Sequence, residues 1–273
     1  MSKYKMVVSD LDGTLLNGST LISNENYEAI CKLGEMGIVF AVATGRCYGE
    51  IPDVLKNCKY IKYYINSNGG SVRNAETGEL DLTLITSKKY KEMAVIMDQY
   101  EQHIVAHIDG YAHVDASKLG DDVIKKYNVH PSHLAIFREM AKRVDNFKEF
   151  LLDNKSIEFM CCFFAKDEDL FECKDRLARL GGLSMTSSAK FNLEIVAEGA
   201  LKGNAVTRLA NKLGIKKEEI IAVGDSRNDI SLLSAAGMPL AVENANDALK
   251  KYAKKVICNY KDHIAKYILE NII

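Results

Sequence analysis

The stretch Lys5-Met6-Val7-Val8-Ser9-Asp10-Leu11-Asp12-Gly13-Thr14 decides the fold. An apolar run of strand character passes directly into two carboxylates two residues apart. Open α/β sheets bind their ligands beyond the carboxyl ends of their strands, so Asp10 and Asp12 stand where a site is expected. An EF-hand calcium loop needs a third acid before its glycine and a distant bidentate Glu. Gly13 follows Asp12 at once, and that reading fails on spacing.

The same rhythm continues outward from this strand. A helix is expected near Asn24 to Met36, a strand over Val39 to Ala43, a helix near Tyr48 to Leu55 and a strand over Tyr63 to Asn66. It returns at the other end, with a helix from Lys202 to Leu213, a strand over Ile220 to Val223, and a helix near Asp229 to Ala236. Pro239 to Val242, a helix from Asn246 to Ala253 and Lys255 to Ile257 complete it. Strands alternating with helices build a parallel sheet.

The middle reads differently. His103 to Ile108 and Tyr111 to Val114 flank Asp109-Gly110, which a two-residue hairpin turn favours. A dense strand over Ile157 to Ala165, a helix over Asp167 to Leu180 and strands near Leu183 to Thr186 and Phe191 to Val196 follow. The fold class expected is α/β: a Rossmann-like parallel-sheet core, residues 1–83 and 189–273, with an inserted α+β domain at 84–188. Hinges are expected near Leu82 to Thr86 and near Ser187 to Lys190.

Composition narrows the partners. The 273 residues are 47% hydrophobic and 27% charged, a balance that can bury a core. Thirty-six Lys and Arg against 37 Asp and Glu leave a net charge of -1, which gives no broad footprint for nucleic acid or an anionic membrane. No run approaches the roughly 20 apolar residues of a membrane span, and a cytoplasmic location is expected. Oligomeric state is not encoded in these patterns. The seven cysteines, Cys31, Cys47, Cys58, Cys161, Cys162, Cys173 and Cys258, are scattered without a C-x-x-C pair and read as buried reduced thiols.

A second acidic loop, Gly224-Asp225-Ser226-Arg227-Asn228-Asp229, also follows an apolar strand. Carboxylates from two neighbouring strand ends can supply the few protein oxygens that Mg²⁺ takes. Thr44-Gly45-Arg46 closes another strand and Lys202 opens a helix, so a hydroxyl and an ammonium are offered where phosphate oxygens could bind.

These four motifs, in this order, resemble the haloacid dehalogenase superfamily. The insert between the Thr and Lys motifs, Ser67-Asn68-Gly69-Gly70 after the third strand, and Asn244-Ala245 resemble its Cof-type branch, whose inserted domain is a type IIB cap. Two positions depart from that pattern: Glu243 stands before Asn244-Ala245 where the family usually has Gly, and Asp262-His263-Ile264 replaces Asp-Gly-Val.

The resemblance implies a Mg²⁺-dependent phosphatase of small phosphorylated metabolites, such as sugar phosphates or phosphorylated cofactors. Asp10 would be the nucleophile that becomes an aspartyl-phosphate, and Asp12 the general acid and base. The Mg²⁺ group would comprise Asp10, Asp12 through its backbone carbonyl, Asp225 and Asp229, with Asp229 and Asn228 orienting metal-bound water or Lys202. Thr44, Gly45, Lys202 and Asn228 would hold the phosphoryl oxygens, and Arg46, Asn68 and His107 would meet the substrate. A phosphomutase would need cap cations for a second phosphate, and Arg138, Arg143, Arg176 and Arg179 lie off the expected active-site strands. A silent phospho-ligand sensor would be free to lose Asp10 or Asp12.

The cap hairpin can be set in register. Ile108 opposes Tyr111, His107 opposes Ala112 and Ala106 opposes His113, so His113 faces away from His103 and His107, and one metal site cannot collect all three. Ile104, Ala106 and Ile108 are expected beneath the cap helices. His103 and His107 are expected on an open face toward the ligand, where protonation near the unperturbed pKa of about 6.5 would tune selectivity.

Overall fold

The computed structural model describes residues 2–16, 18, 20–187, 191–259, 261 and 263–273. Its strands run β1 (Met6–Ser9), β2 (Val39–Ala43), β3 (Ile61–Asn66), β4 (Ser71–Asn74) and β5 (Leu80–Leu82). Then come β6 (Gln102–Ile108), β7 (Tyr111–Asp115), β8 (Lys142–Val144), β9 (Ile157–Phe164), β10 (Leu183–Thr186) and β11 (Asn192–Ala197). Last are β12 (Ile220–Gly224), β13 (Met238–Val242) and β14 (Lys255–Ile257).

The chain divides into two compact units: Met1–Arg46 with Ile51–Asp81 and Leu201–Ile273, and Cys47–Glu50 with Leu82–Ala200. The sheet of the first unit has the order β14-β13-β12-β1-β2-β3-β4-β5. At its centre β1 pairs in parallel with β12 (Met6 opposite Ile220) and with β2 (Met6 opposite Val39). Met6, Val7 and Val8 are all fully buried although successive residues face opposite sides. A strand covered on both faces therefore reads as a continuous apolar run rather than an alternating one. This arrangement brings the ends of β1, β2 and β12 side by side, and the three motif loops leave from those ends.

Local chemistry sets the helix limits. Ser23 Oγ accepts the Asn26 N–H at 3.2 Å and caps the helix Asn24–Glu35. The helix Lys202–Leu213 stops at Gly214, whose φ of +67° lies in the left-handed region that favours glycine. At the Asp262-His263-Ile264 departure, Asp262 lies outside the described residues. His263 takes φ +63°, where the family's glycine would be unstrained, and its Nδ1 lies 2.8 Å from Ser23 Oγ. That bond holds the substituted residue in place at the start of the helix Ile264–Asn271.

The second unit carries a sheet of order β10-β11-β9-β6-β7-β8. The β6–β7 register pairs His107 with Ala112 and Ala106 with His113, as the two-residue turn dictates. Cys162, paired with Ile104, lies near Tyr90 of the helix Ser87–Met97 and Cys173 of the helix Asp167–Leu180. Ile104 and Cys162 thus share the helix-covered face. His113 lies on that side too, stacked on Phe150 with centroids 5.2 Å apart.

Two expectations need correction. Residues 191–200 belong to the inserted unit rather than the core, because β11 is hydrogen-bonded to β9, with Glu194 opposite Cys161. The core resumes at Leu201. Of the second expected hinge, Ser188, Ala189 and Lys190 lie outside the described residues.

The other correction concerns the histidine face, which is closed. His103 is 0% exposed, its ring 6.1 Å from each of Tyr127, Phe137 and Phe163. His107 is 4% exposed, 4.6 Å from the Phe159 ring, with Nε2 3.9 Å from Glu50 Oε2. The helices Asp122–Tyr127 and Pro131–Met140 supply Tyr127 and Phe137, and the segment Cys47–Glu50 supplies Glu50. Burial lowers His103 to about 4 and His107 to about 3. Neither imidazole charges near pH 6.5, so the expected pH-tuned selectivity does not stand, and His107 is packed inside its own unit rather than presented on an open face.

This burial makes the fold acid-labile. A folded-state pKa below the unfolded 6.5 means that the unfolded chain takes up the proton first, so the contribution is complete above pH 6.5 and is lost as pH falls toward 4. For His103 it amounts to roughly 3 kcal/mol. Urea unfolding from pH 7 to pH 4 should show a steep loss of stability that His103→Leu flattens. An identical pH slope in His103→Leu would contradict this assignment.

Candidate active site

The site is built within the first unit from the ends of β1, β2 and β12 and the start of the helix Lys202–Leu213. Asp10 follows β1 directly, its N–H donating to the Val223 carbonyl of β12 at 3.0 Å. Its carboxylate is buried and Lys202 Nζ donates to Oδ1 at 2.8 Å. The same ammonium donates to Asp229 Oδ1 at 2.7 Å. Asp229 Oδ2 accepts the N–H groups of Asp225 and Ser226, both at 3.1 Å. Both Asp229 oxygens are thus engaged, so it fixes the Asp225 loop and aims Lys202.

Two glycines allow the acids to meet. Gly13 has φ +76°, and a Cβ there would lie 2.6 Å from Asp225 Oδ2. A Cβ on Gly224 would lie 2.6 Å from Asp229 Cγ. Any side chain at either position would push the carboxylates apart. The Gly13 carbonyl accepts Asn244 Nδ2 at 2.8 Å, so the loop opened by the Glu243 departure is still tied to the first motif. Asn244-Ala245 was legible as a family feature, but its partner was not.

The remaining expected residues fall into two groups. Thr44 is buried, its Oγ1 accepting the Arg46 N–H at 3.1 Å and its carbonyl accepting the Asn68 N–H at 3.0 Å. Asn68, at φ +54°, accepts Asn228 Nδ2 on Oδ1 at 3.2 Å, and the same oxygen lies 3.4 Å from where a Gly45 Cβ would be. Thr44, Gly45, Asn68 and Asn228 therefore form one polar cluster. Arg46, expected at the substrate, grips Asp12 through Nε to Oδ2 at 2.8 Å and Nη2 to Oδ1 at 2.6 Å. Such a two-pronged pair fixes the plane of the Asp12 carboxylate, which is half exposed. Sequence spacing carried no signal for this pair. His107 belongs to the other unit.

The electrostatics favour a bound cation. One carboxylate oxygen from each of Asp10, Asp225 and Asp229 lies within 4.8 Å of the others. Burial, then repulsion from Asp229, raises Asp10 well above the usual carboxylate range, and Lys202 only partly opposes this. Burial and Asp229 likewise push Asp225 up to about 7. Burial alone would lower the Lys202 ammonium, but Asp10 and Asp229 outweigh it and hold it above its ordinary value. One ammonium does not neutralise three clustered carboxylates, and hard oxygen donors suit Mg²⁺. Asn228 Oδ1 and Thr14 Oγ1 are also buried with no hydrogen-bond partner among the described residues. The donor set fits the metal that the motifs imply.

The family model for haloacid dehalogenase-like hydrolases matches residues 7–268. The chain is 28% identical to the 5-amino-6-(5-phospho-D-ribitylamino)uracil phosphatase YwtE of Bacillus subtilis, over 98% of each chain. A haloacid dehalogenase-like hydrolase structure from B. subtilis superposes with a TM-score of 0.80 at 27% identity, covering 98% of this chain and 100% of that one. The subclass IIB sugar phosphatase BT4131 shares the fold, with a TM-score of 0.80 at 23% identity and 97% coverage of both chains. No helix among the described residues is long and apolar enough to cross a membrane.

Because Asp225 must lose its proton to hold a metal, protons compete with Mg²⁺ below pH 7. Calorimetric titration should give Mg²⁺ affinity roughly tenfold weaker at pH 6 than at pH 8. Asp225→Asn should bind weakly at both. Equal wild-type affinity at the two pH values would contradict the assignment.

Proposed function

The chain belongs to the haloacid dehalogenase-like hydrolases, as a Cof-type phosphatase, and on that premise we propose that it is a Mg²⁺-dependent phosphomonoesterase of small phosphorylated metabolites that works through an aspartyl-phosphate on Asp10. The observation that carries this reading is the buried Asp10 carboxylate, clasped by Lys202 on one oxygen and facing Asp225.

A phosphate ester resists attack because its oxygens repel an incoming anion, so the site must neutralise charge and align the nucleophile. Lys202 holds Asp10 Oδ1, which leaves Oδ2 to form the bond to phosphorus. A carboxylate needs no separate base to become a nucleophile once it has lost its proton. Mg²⁺ bound by Asp10, Asp225 and the Asp12 carbonyl would supply positive charge for the phosphoryl oxygens and keep Asp10 ionised. Lys202, Thr44 and Asn228 are suited to receive the remaining oxygens, and Asn228 retains an unpaired amide oxygen for a metal-bound or nucleophilic water.

Asp12 would carry the proton. It donates to the leaving alkoxide as the bond from phosphorus to the ester oxygen breaks. It then takes a proton from the water that attacks the aspartyl-phosphate, regenerating Asp10 and releasing phosphate. Arg46 orients Asp12 for both steps and so acts as a positioning residue.

The substrate class rests on the relatives. The YwtE relative is named for a phosphorylated ribityl compound, so phosphorylated polyols and sugars lead the test set. A bisphosphate-dependent mutase is disfavoured because Arg138 is bound to Asp121 and Arg176 to Gln99 and Tyr100 within the second unit. Arg143 does lie on a sheet strand, the exposed β8 that the sequence left unassigned. Reduced, scattered cysteines favour a cytoplasmic setting.

A panel of phosphorylated sugars, polyols, nucleotides and cofactors tests the reading. Phosphate release should require Mg²⁺, stop in excess chelator, and fall below a few per cent in Asp10→Asn, with circular dichroism showing that the variant is still folded. Full turnover in chelator, or substantial activity in Asp10→Asn, would overturn it.

A further inference from the structure

The second unit holds a side-chain cluster that the phosphatase chemistry does not use. Cys47, Glu50 and His107 are buried together, with one ligand-type atom from each within 4.8 Å of the others. We propose that these three residues form a second metal centre, for a divalent cation that favours thiolate and imidazole, such as Zn²⁺, separate from the all-oxygen site proposed for Mg²⁺.

The donor set distinguishes the two centres. The core offers only oxygen, which suits Mg²⁺, whereas sulfur, nitrogen and one carboxylate suit Zn²⁺. With Zn–S near 2.3 Å and Zn–N or Zn–O near 2.0–2.1 Å, tetrahedral ligands stand roughly 3.3–3.6 Å apart. His107 Nε2 and Glu50 Oε2 are already 3.9 Å apart, so small side-chain rotations close the set.

The backbone around the cluster is fixed on both sides. Cys47 N–H donates to Glu50 Oε2 at 3.0 Å, which folds the segment into one turn. Gly49 N–H donates to the Gly110 carbonyl at 2.8 Å, and Gly110 N–H donates to Glu158 Oε1 at 2.8 Å, so the turn is anchored on the hairpin tip beyond His107. Phe159 packs on the His107 ring and limits its rotation. Burial keeps that imidazole neutral, the form a metal binds. Burial, with Glu50 and Glu158 nearby, raises the Cys47 thiol well above its usual range, so its proton departs only when a cation replaces it. Metal binding would staple Cys47–Glu50 to β6. Cys47 directly follows Arg46, the residue that grips Asp12.

The full-length protein, stripped of metal and held in excess Mg²⁺, is titrated with Zn²⁺ against a chromophoric chelator and separately with Co²⁺. One equivalent of Zn²⁺ should bind with micromolar or tighter affinity, and the Co²⁺ complex should show a thiolate-to-metal charge-transfer band in the near ultraviolet. Cys47→Ser should abolish the band and weaken Zn²⁺ at least tenfold, and His107→Gln should weaken it comparably, whereas Cys258→Ser should change neither. Should Cys47→Ser not fold, His107→Gln and the Co²⁺ spectrum decide. No Zn²⁺ equivalent in excess Mg²⁺, a band that persists in Cys47→Ser, or binding lost only in Asp225→Asn would each overturn the proposal.

Discussion

The Lys202 ammonium, buried between the carboxylates of Asp10 and Asp229, is the interaction on which the catalytic arrangement depends. It joins Asp10, near the start of the chain, to Asp229, near its end. A charge buried this deeply is tolerable only while paired, and removing one partner of a buried ion pair typically costs about 3–5 kcal/mol. The parallel pairing of β1 with β12 brings the two acidic loops together, and the helix Lys202–Leu213 delivers the cation between them. Asp229 then spends its second oxygen on the backbone of its own loop, so one residue both aims the lysine and shapes the Asp225 turn.

That arrangement leaves a surplus of negative charge in a buried place. The raised Asp10 and Asp225 carboxyls express the surplus, and a divalent cation bound there would relieve it. Arg46 sits at the border of the cluster and grips the exposed acid, Asp12. The acids are therefore sorted by environment: Asp10 dry and beside an ammonium, Asp12 half in water and held by a guanidinium fork. A nucleophile and a proton carrier need different surroundings, and this sorting would supply them for the proposed roles.

Sequence made the core legible because its signals are local. A strand running into Asp10-Leu11-Asp12-Gly13, and another into Gly224-Asp225, show on inspection that two loops share one sheet edge. The helix Lys202–Leu213 and the hairpin register followed from periodicity and from Asp109-Gly110. Long-range pairs left no such trace. Nothing near Arg46 announces Asp12, and nothing near His107 announces Cys47 and Glu50. The strands β4, β5 and β8 span only three or four residues each, too short for an alternating pattern to declare itself. The histidine face was misjudged for a related reason: the helix Pro131–Met140, which carries Phe137 over His103, was not anticipated, so a covered face read as open.

The central claim is that Asp10 attacks phosphorus, and the covalent species tests it most directly. Asp12→Asn, expected to slow hydrolysis of the intermediate, would be mixed with a turned-over phosphomonoester and Mg²⁺, quenched in acid within milliseconds and mapped by peptide mass spectrometry. The account predicts a phosphoryl adduct on the peptide containing Asp10, labile to hydroxylamine as acyl phosphates are, and absent from Asp10→Asn. Turnover with no adduct on that peptide, or an adduct on another residue, would contradict it.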